Sequence, residues 1–229
     1  FYGINTHAHY TASIMESGLS GLSLTISNVR LNTVLVGDFN AYNLLAVYSV
    51  ALELGQCENS VLSLLSNIKP VLGRFNIIRS NKDVVGIVDY AHTPDALKKV
   101  IKSISNFCNI HRDLILVLGC GGNRDKGKRP IMGQIAFENS NKVVFTSDNP
   151  RFENPESILN DMCIDLPHNV TGKLNKIINR EDAIAFAVHS AIKGSVILIA
   201  GKGHEQFQEI NGVKTPFDDS QILTKFLKI

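Results

Sequence analysis

Apolar and polar positions follow two alternating patterns from residue 84 onward. Short apolar runs are typical of strands buried on both faces, and they occupy residues 84–88, 114–118, 143–146, 176–178 and 196–200. Apolar residues at three- and four-residue spacing predict helices over 94–107, 130–138, 155–166 and 180–192. Buried strands that alternate with helices predict an α/β fold with a doubly wound, mostly parallel sheet. Two shorter runs, 76–79 and 207–210, are expected to form edge strands or a hairpin.

The beginning of the chain follows a different pattern. Loose alternation over 22–26 and 29–35 predicts two strands of a meander or a sheet edge. Helical spacing predicts two helices, over 40–54 and 58–68.

The segment 69–73 is the predicted boundary between two domains, because it follows a helix and contains a proline and a glycine. The first domain would comprise residues 1–73 and the second residues 74–229. Because the chain begins with Phe1 inside strand-like sequence, we expect it to be a fragment that lacks the amino-terminal part of a longer protein.

Composition and charge narrow the class of protein. The formal net charge of +2 over 229 residues predicts no nucleic-acid partner, and no apolar run approaches the length of a membrane span. The cysteines lie far apart and form no CxxC pair: Cys57, Cys108, Cys120 and Cys163. This spacing argues against a zinc site or a disulfide framework, so we expect reduced thiols in a cytoplasmic protein.

Polar loops follow four of the predicted strands, at 89–94, 119–129, 147–151 and 201–205. In open parallel sheets the ligand binds outside the carboxyl ends of the strands, so these loops are expected to face one crevice. They carry both signs of charge, which predicts a small zwitterionic ligand or an anion beside an amine.

The loop at 119–129 is the strongest candidate for anion binding. Its glycines at 119, 121 and 122 follow a buried strand, and its cations are Arg124, Lys126, Lys128 and Arg129. Pro130 suits the first turn of the next helix. Residues 122–128 fit GxxxxGK, but Arg129 stands where a P-loop has the Ser or Thr that binds Mg²⁺. We therefore favour an anion-binding cationic loop over a true P-loop or a solvated basic loop.

Side chains just past the strand ends have more than one interpretation. His92 and His204, each taken alone, are interpreted as hydrogen-bonded structural histidines rather than catalysts. Asp89 could be a ribose-binding acid at a strand tip or a cap of the following helix, and the sequence favours neither. The pair His7 and His9 does not indicate a metal site.

Six ordered motifs resemble those of the Mur ligases, and the resemblance runs from about residue 37 to the end of the chain. The motifs are GDFNAYN (37–43), GRF (73–75), DYAHTPDAL (89–97), GCGGNRDKGKRP (119–130), SDNPR (147–151) and GKGHE (201–205). Within the family the chain is most similar to the MurE type, the tripeptide synthetases that add meso-diaminopimelate. The resemblance implies a Rossmann-like carboxy-terminal domain, preceded by the tail of a central ATP-binding domain.

The resemblance implies an ATP-dependent, peptide-bond-forming ligase of cytoplasmic peptidoglycan synthesis. Its partners would be ATP, UDP-MurNAc-L-Ala-D-Glu and meso-diaminopimelate, joined through an acyl phosphate, and we expect a monomer. The P-loop and the Mg²⁺ ligands of the family would lie upstream of Phe1, so we expect no metal site and no turnover in this chain alone.

The resemblance also assigns roles to individual residues. For ATP, Asn43 resembles the adenine contact, Arg74 the phosphate contact that requires domain closure, and Asp89 the ribose contact. For the amino acid, Arg151 would pair with the distal carboxylate, because arginine binds carboxylates in a bidentate manner. Arg124 resembles a second residue that binds a carboxylate. Asp148 and Asn149 would line the same pocket. Gly201 and Glu205 resemble the contacts to the far amino group.

Three alternatives remain open at this point. One is a related ligase, such as a lysine-adding enzyme or folylpolyglutamate synthase, which would not need the arginine at 151. Another is a non-catalytic module that binds an amino acid or a nucleotide. A hydride-transferring enzyme is the weakest, because no GxGxxG follows a strand.

Overall fold

The computed structural model describes residues 1–107, 113–167, 169 and 171–228. Internal contacts divide the chain into two compact units. The first contains Phe1–Pro70 and the end of a later helix from Lys102 onward, and the second contains Val71–Ile101 and the elements that follow that helix. The predicted boundary at residue 73 stays a prediction.

The first unit is a four-stranded sheet covered by two helices. Its strands are β1 (Tyr2–Ile4), β2 (Tyr10–Gly18), β3 (Gly21–Ile26) and β4 (Val29–Thr33). Strands β2, β3 and β4 form an antiparallel meander, in which β3 and β4 are the two predicted strands, and β1 pairs with β2 in parallel. The helices are α1 (Phe39–Glu53) and α2 (Glu58–Ser66), and they pack on the sheet around a core that includes Leu24, Leu45 and Tyr48.

Among the described residues, the second unit contains a six-stranded sheet, a hairpin, four whole helices and the first part of a fifth, Pro94–Phe107. The sheet strands are β5 (Asn76–Arg79), β6 (Val85–Asp89), β7 (Leu114–Cys120), β8 (Lys142–Ser147), β9 (Leu174–Lys176) and β10 (Val196–Ala200). The hairpin strands are β11 (Phe207–Ile210) and β12 (Val213–Pro216). The helices are α3 (Pro94–Phe107), α4 (Lys128–Glu138), α5 (Pro155–Asp161), α6 (Arg180–His189) and α7 (Asp219–Leu227).

The sheet order is β5-β6-β10-β7-β8-β9, and every pair except β5–β6 is parallel. All residues of β6, β7 and β10 are buried, because helices cover both faces. On one face, Val117 and Ile199 pack with α6 and α7. Strand alternation turns Leu116 and Leu198 to the other face, and α4 and α5 also pack against the sheet. The predicted doubly wound, mostly parallel fold is therefore confirmed.

The structure corrects several predicted boundaries. Helix α4 begins at Lys128, so Pro130 is its third residue, which is still within the first turn. Helices α5 and α6 end earlier than expected, because each is followed by backbone hydrogen bonds that span three residues instead of four. One of them joins Cys163 N–H to Asn160 O (2.9 Å). Strand β9 begins and ends two residues earlier than predicted. Strand β12 and helix α7 were not predicted, although Asp218 caps α7 by accepting from the N–H of Ser220 (2.8 Å).

Candidate functional site

A cavity of about 500 Å³ opens in the second unit at the carboxyl ends of the parallel strands. Its lining includes all six residues implied for amino-acid binding, namely Arg124, Asp148, Asn149, Arg151, Gly201 and Glu205. The other lining residues are Tyr90, His92, Thr93, Gly119, Cys120, Gly121, Asp125 and Lys128. The expectation that the four polar loops face one crevice is confirmed.

The glycine loop after β7 lies directly against the loop after β8. A side chain at Gly122 would overlap the carbonyl of Pro150, so only glycine permits this approach. The N–H of Gly122 donates to the carbonyl of Asn149 (2.9 Å), and Arg151 Nη1 donates to the carbonyl of Gly122 (2.8 Å). These bonds set the spacing between the two loops.

Arg129 is wholly buried and holds these loops together instead of facing an anion. Its guanidinium donates to Glu153 (2.9 and 3.0 Å), to Asp161 (2.8 Å) and to the carbonyl of Gly121 (3.2 Å). Glu153 also accepts from the backbone N–H of Asn123, and the Arg129 guanidinium lowers its pKa to about 2. The prediction that Arg129 belongs to an anion-binding surface is wrong, because these nearby carboxylates neutralise it.

The other cations of the loop differ in whether they line the cavity. Lys126 lies 3.2 Å from Glu153, away from the cavity lining, whereas Lys128 lines the cavity and donates to the carbonyl of His92 (2.7 Å). Arg124 is exposed, lines the cavity and has no hydrogen bond or ion pair within the described part of the chain. Arg124 is therefore the loop arginine available to a ligand anion.

Arg151 is fixed by the hairpin of β11 and β12. Its backbone has a left-handed φ of 52°, its N–H donates to the carbonyl of Glu209 (3.0 Å), and its carbonyl accepts from Asn211 (2.7 Å). Its Nε lies 3.5 Å from the Glu209 carboxylate. Together with the Gly122 contact, these bonds engage Nε and Nη1, whereas Nη2 has no partner among the described residues.

The cavity floor contains a buried polar cluster. Asn149 Oδ1 accepts from Lys202 Nζ (2.9 Å) and from the N–H of Glu209 (2.9 Å), while its Nδ2 donates to Glu205 Oε2 (2.8 Å). Lys202 Nζ also lies 3.1 Å from Glu205 Oε2. Sequence reasoning missed Lys202, although its place between the glycines of GKGHE was the available signal.

Asp148 lies at the floor among charged groups. Burial raises the pKa of its carboxyl, and the charges of Arg180 and Lys202 oppose that shift. Its Oδ1 accepts from the N–H of Asn149 (2.7 Å). Gly201 has a φ of 117°, and a side chain there would approach Asp148 Oδ2 to 2.8 Å, so this position requires glycine.

Arg180 and Asp219 form a fully buried ion pair behind the floor. Arg180 Nε and Nη2 each lie 2.8 Å from an oxygen of Asp219. Arg180 also donates to the carbonyls of Ser147 (3.3 Å) and Ala200 (3.1 Å) at the ends of β8 and β10. The sequence showed Arg180 only as a residue in the first turn of a helix, so its role at the strand ends was missed.

The three residues implied for ATP lie outside this cavity lining. Asp89 is buried and its Oδ2 accepts from the N–H of Phe75 (2.8 Å), and burial raises its pKa against the charge of Arg74. Arg74 lies 4.9 Å from the centre of the Tyr90 ring. Asn43 is exposed on α1 in the first unit, where its Nδ2 donates to Asn40 (3.1 Å).

Capping of α3 is performed by Thr93, whose Oγ1 accepts from the N–H of Ala96 (3.3 Å). The alternative that Asp89 caps this helix is therefore wrong, whereas the ribose role stays a prediction. His92 is hydrogen-bonded as expected, with Nδ1 2.9 Å from the carbonyl of Tyr90. The ring of His204 lies 5.1 Å from that of Tyr90.

The described cysteines form no disulfide. Cys57, Cys120 and Cys163 are free, and Cys108 lies outside the described residues. Burial raises the pKa of Cys120 to about 12, so this lining residue is a neutral thiol at pH 7. Across the described ranges, no group of three or more His, Cys, Asp and Glu side chains could hold a metal ion. Within the same ranges, no helix is long and apolar enough to span a membrane.

The fold and the cavity define an α/β domain with a polar crevice, with arginines on its loops and carboxylates on its floor. Residues 73–203 match the family model described as the Mur ligase, glutamate ligase domain. The chain therefore belongs to the Mur ligase family.

Individual relatives give a finer comparison. The chain is 48% identical, over 97% of its length, to UDP-N-acetylmuramoyl-L-alanyl-D-glutamate--2,6-diaminopimelate ligase of Phocaeicola vulgatus, and 46% identical, over its whole length, to the ligase of that name from Bacteroides fragilis. It covers 46% and 47% of those two proteins, so it spans about half their length. A solved structure of a ligase with this name aligns over 99% of the chain, with a TM-score of 0.68 and 36% identity. Folylpolyglutamate synthase from Thermotoga maritima shares the fold alone, with a TM-score of 0.63 and 18% identity.

Proposed function

We propose that the chain is the carboxy-terminal part of an ATP-dependent ligase that adds meso-diaminopimelate to UDP-MurNAc-L-Ala-D-Glu. The observation that carries this proposal is the charge arrangement of the cavity, where Arg124 and Arg151 lie on the loops and Asp148 and Glu205 on the floor. The relatives named above support the same substrate. In this proposal residues 1–73 are the tail of an ATP-binding domain and residues 74–229 bind the amino acid.

The cavity chemistry suits a diamino dicarboxylic acid. Each end of meso-diaminopimelate carries an ammonium and a carboxylate, so the ligand needs both cationic and anionic partners. Arg151 would bind the distal carboxylate through its unused guanidinium hydrogens, and Arg124 would bind the other carboxylate. Glu205 would accept from the far ammonium, and Gly201, which lines the same cavity, would provide a second contact to it.

The chain's contribution to the reaction is to hold the incoming amine. In the proposed reaction, ATP phosphorylates the substrate carboxylate, the amine attacks the acyl carbon, and phosphate leaves as the amide forms. A fixed amine gains rate because the attack becomes effectively unimolecular. Asn43, Arg74 and Asp89 remain the proposed ATP contacts. In this proposal Mg²⁺ is bound by residues upstream of Phe1, as the resemblance to the Mur ligases implies.

A two-dimensional amide NMR titration of this chain with meso-diaminopimelate and with L-lysine tests the proposal. L-Lysine carries the far ammonium but no distal carboxylate. We expect meso-diaminopimelate to shift the amides of Arg124, Asn149 and Gly201 and to bind at least tenfold more tightly than lysine. The variant Arg151→Met should lose this preference, because the distal carboxylate loses its partner.

The matched control is Arg79→Met. Arg79 lies opposite Val85 in the β5–β6 strand register, at the end of the strands away from the cavity. This control should bind both ligands as the unmodified chain does. Equal binding of the two ligands by the unmodified chain would leave a ligand site but remove the diaminopimelate assignment, in favour of a lysine-adding ligase. A folded chain that responds to neither ligand would contradict the proposed binding role.

A further inference from the structure

Lys202 is a fully buried lysine whose ammonium has two side-chain partners. Its Nζ donates to Asn149 Oδ1 (2.9 Å) and to Glu205 Oε2 (3.1 Å), and no part of its side chain is exposed. A buried ammonium is costly unless it is paired and hydrogen-bonded, so Lys202 depends on Glu205 for its charge balance. Lys202 itself does not line the cavity.

Glu205 connects this buried lysine to the cavity. Its side chain is 24% exposed and lines the cavity. Both of its side-chain hydrogen bonds, from Lys202 Nζ and Asn149 Nδ2, go to Oε2. Within the described residues Oε1 has no partner. Two donors on one oxygen fix the plane of the carboxylate and leave the other oxygen for a ligand.

The cluster also limits the charge of the cavity floor. Asp148 and Glu205 both lie there, and the charge of Lys202 acts on Asp148 while its Nζ contacts Glu205 directly. Without that cation, the two carboxylates would repel each other, and the Glu205 side chain would lose the donor that fixes its position.

We propose that Lys202 is a positioning residue, which holds the Glu205 carboxylate in its orientation toward the far ammonium of the incoming diamino acid. This inference rests on the proposed function, because it takes a diamino acid as the ligand. Asn149 completes the arrangement, since it bonds both Lys202 and Glu205.

The test compares two ligands by isothermal titration calorimetry on this chain. They are meso-diaminopimelate and L-2-aminopimelate, which has the same carbon chain and both carboxylates but lacks the far amine. Lys202→Met should lower the affinity for meso-diaminopimelate at least tenfold and change that for L-2-aminopimelate less than twofold. The matched control is Lys214→Met, because Lys214 also lies over the Phe207 ring but is exposed on β12.

A double-variant cycle separates positioning from a general structural role. If Lys202 acts through Glu205, Lys202→Met should have no further effect on diaminopimelate affinity in a Glu205→Gln background. This comparison also holds if Lys202→Met alone fails to fold, since the double variant leaves neither an unpaired lysine nor an unpaired glutamate.

Three outcomes would overturn the inference. In the first, Lys202→Met weakens both ligands equally, which a loss of local structure would produce. In the second, the effects of Lys202→Met and Glu205→Gln on the affinity for diaminopimelate are additive. In the third, Lys202→Met leaves diaminopimelate affinity unchanged. If the unmodified chain binds no diaminopimelate, the proposed function fails and this inference fails with it.

Discussion

Asp148 is a buried residue whose charge lowers the stability of the folded state. Burial raises the pKa of its carboxyl even though Arg180 and Lys202 lie near it. The folded state therefore takes up a proton more readily than the unfolded chain, whose Asp pKa is about 3.9. Above that pH the charged carboxyl lowers the stability of the folded state, and the penalty is complete above the folded pKa.

Replacing Asp148 with Asn should raise the free energy of unfolding at pH 7 by on the order of 1 kcal/mol. An Asn side chain removes the desolvated charge and can still accept from the N–H of Asn149. The gain should shrink as the pH falls toward about 4, the ordinary pKa of Asp in the unfolded chain, because the raised pKa of the folded carboxyl leaves it uncharged by then. Urea unfolding at both pH values measures this difference.

The control for that experiment is Asp95→Asn, an exposed acid paired with Lys99 on the surface of α3. It should change stability by less than about 0.5 kcal/mol. A loss of stability in Asp148→Asn at pH 7 would mean that attraction to Arg180 and Lys202 exceeds the cost of burial.

At the scale of elements, two loops and a helix meet at Arg129. The side chain joins Gly121 in the loop after β7, Glu153 in the loop after β8, and Asp161 at the end of α5. Asn123 Oδ1 adds a bond from the N–H of Phe152 (3.0 Å). Arg124 and Arg151 lie on the two joined loops, so Arg129 contributes, with the Gly122 contacts, to the spacing between the two proposed carboxylate contacts.

Arg129→Met should lower the free energy of unfolding by roughly 3–5 kcal/mol, because it leaves Glu153 without its buried partner. Lys126→Met is the matched control, since Lys126 binds the same carboxylate from the surface, with its side chain 68% exposed. It should cost at most about 1 kcal/mol. Urea unfolding compares the two variants, and equal losses would contradict the central role of Arg129.

At the scale of the whole second unit, the pair of Arg180 and Asp219 joins the last helix to the sheet. Asp219 opens α7, Arg180 opens α6, and Arg180 also binds carbonyls at the ends of β8 and β10. A second pair, Lys225 and Glu181, links the same two helices on the surface at 2.8 Å. The two pairs differ mainly in burial.

Asp219→Asn should destabilise the protein by roughly 3–5 kcal/mol, because a buried guanidinium loses its counter-charge. The double variant Arg180→Met with Asp219→Asn should be more stable than Asp219→Asn alone, since no unpaired charge remains. Lys225→Met should cost less than about 1 kcal/mol. Thermal and urea unfolding measure the stability of all three variants. A double variant that is less stable than Asp219→Asn would show that the carbonyl contacts of Arg180 contribute more to stability than the unpaired charge costs.

Much of the fold could be predicted because its signals are local. The apolar runs at β6, β7 and β10 are complete within each strand, and the carboxyl ends of parallel strands necessarily share one edge. That rule brought the loops of Arg124, Asp148 and Glu205 into one predicted crevice. Element ends were less accurate, since the tight turns after α5 and α6 depend on surrounding structure.

The sequence by itself determined the α/β class, the edge of the sheet that carries the site and the mixed charge of the cavity. Only the tertiary structure decided which charges face a ligand. Arg129, Arg180 and Lys202 look like surface cations in the sequence, yet all three are buried. Arg129 and Arg180 find their partners 24 to 39 residues away along the chain. A charge can be buried only where an opposite charge and hydrogen-bonding groups meet it, and that meeting depends on how distant segments pack.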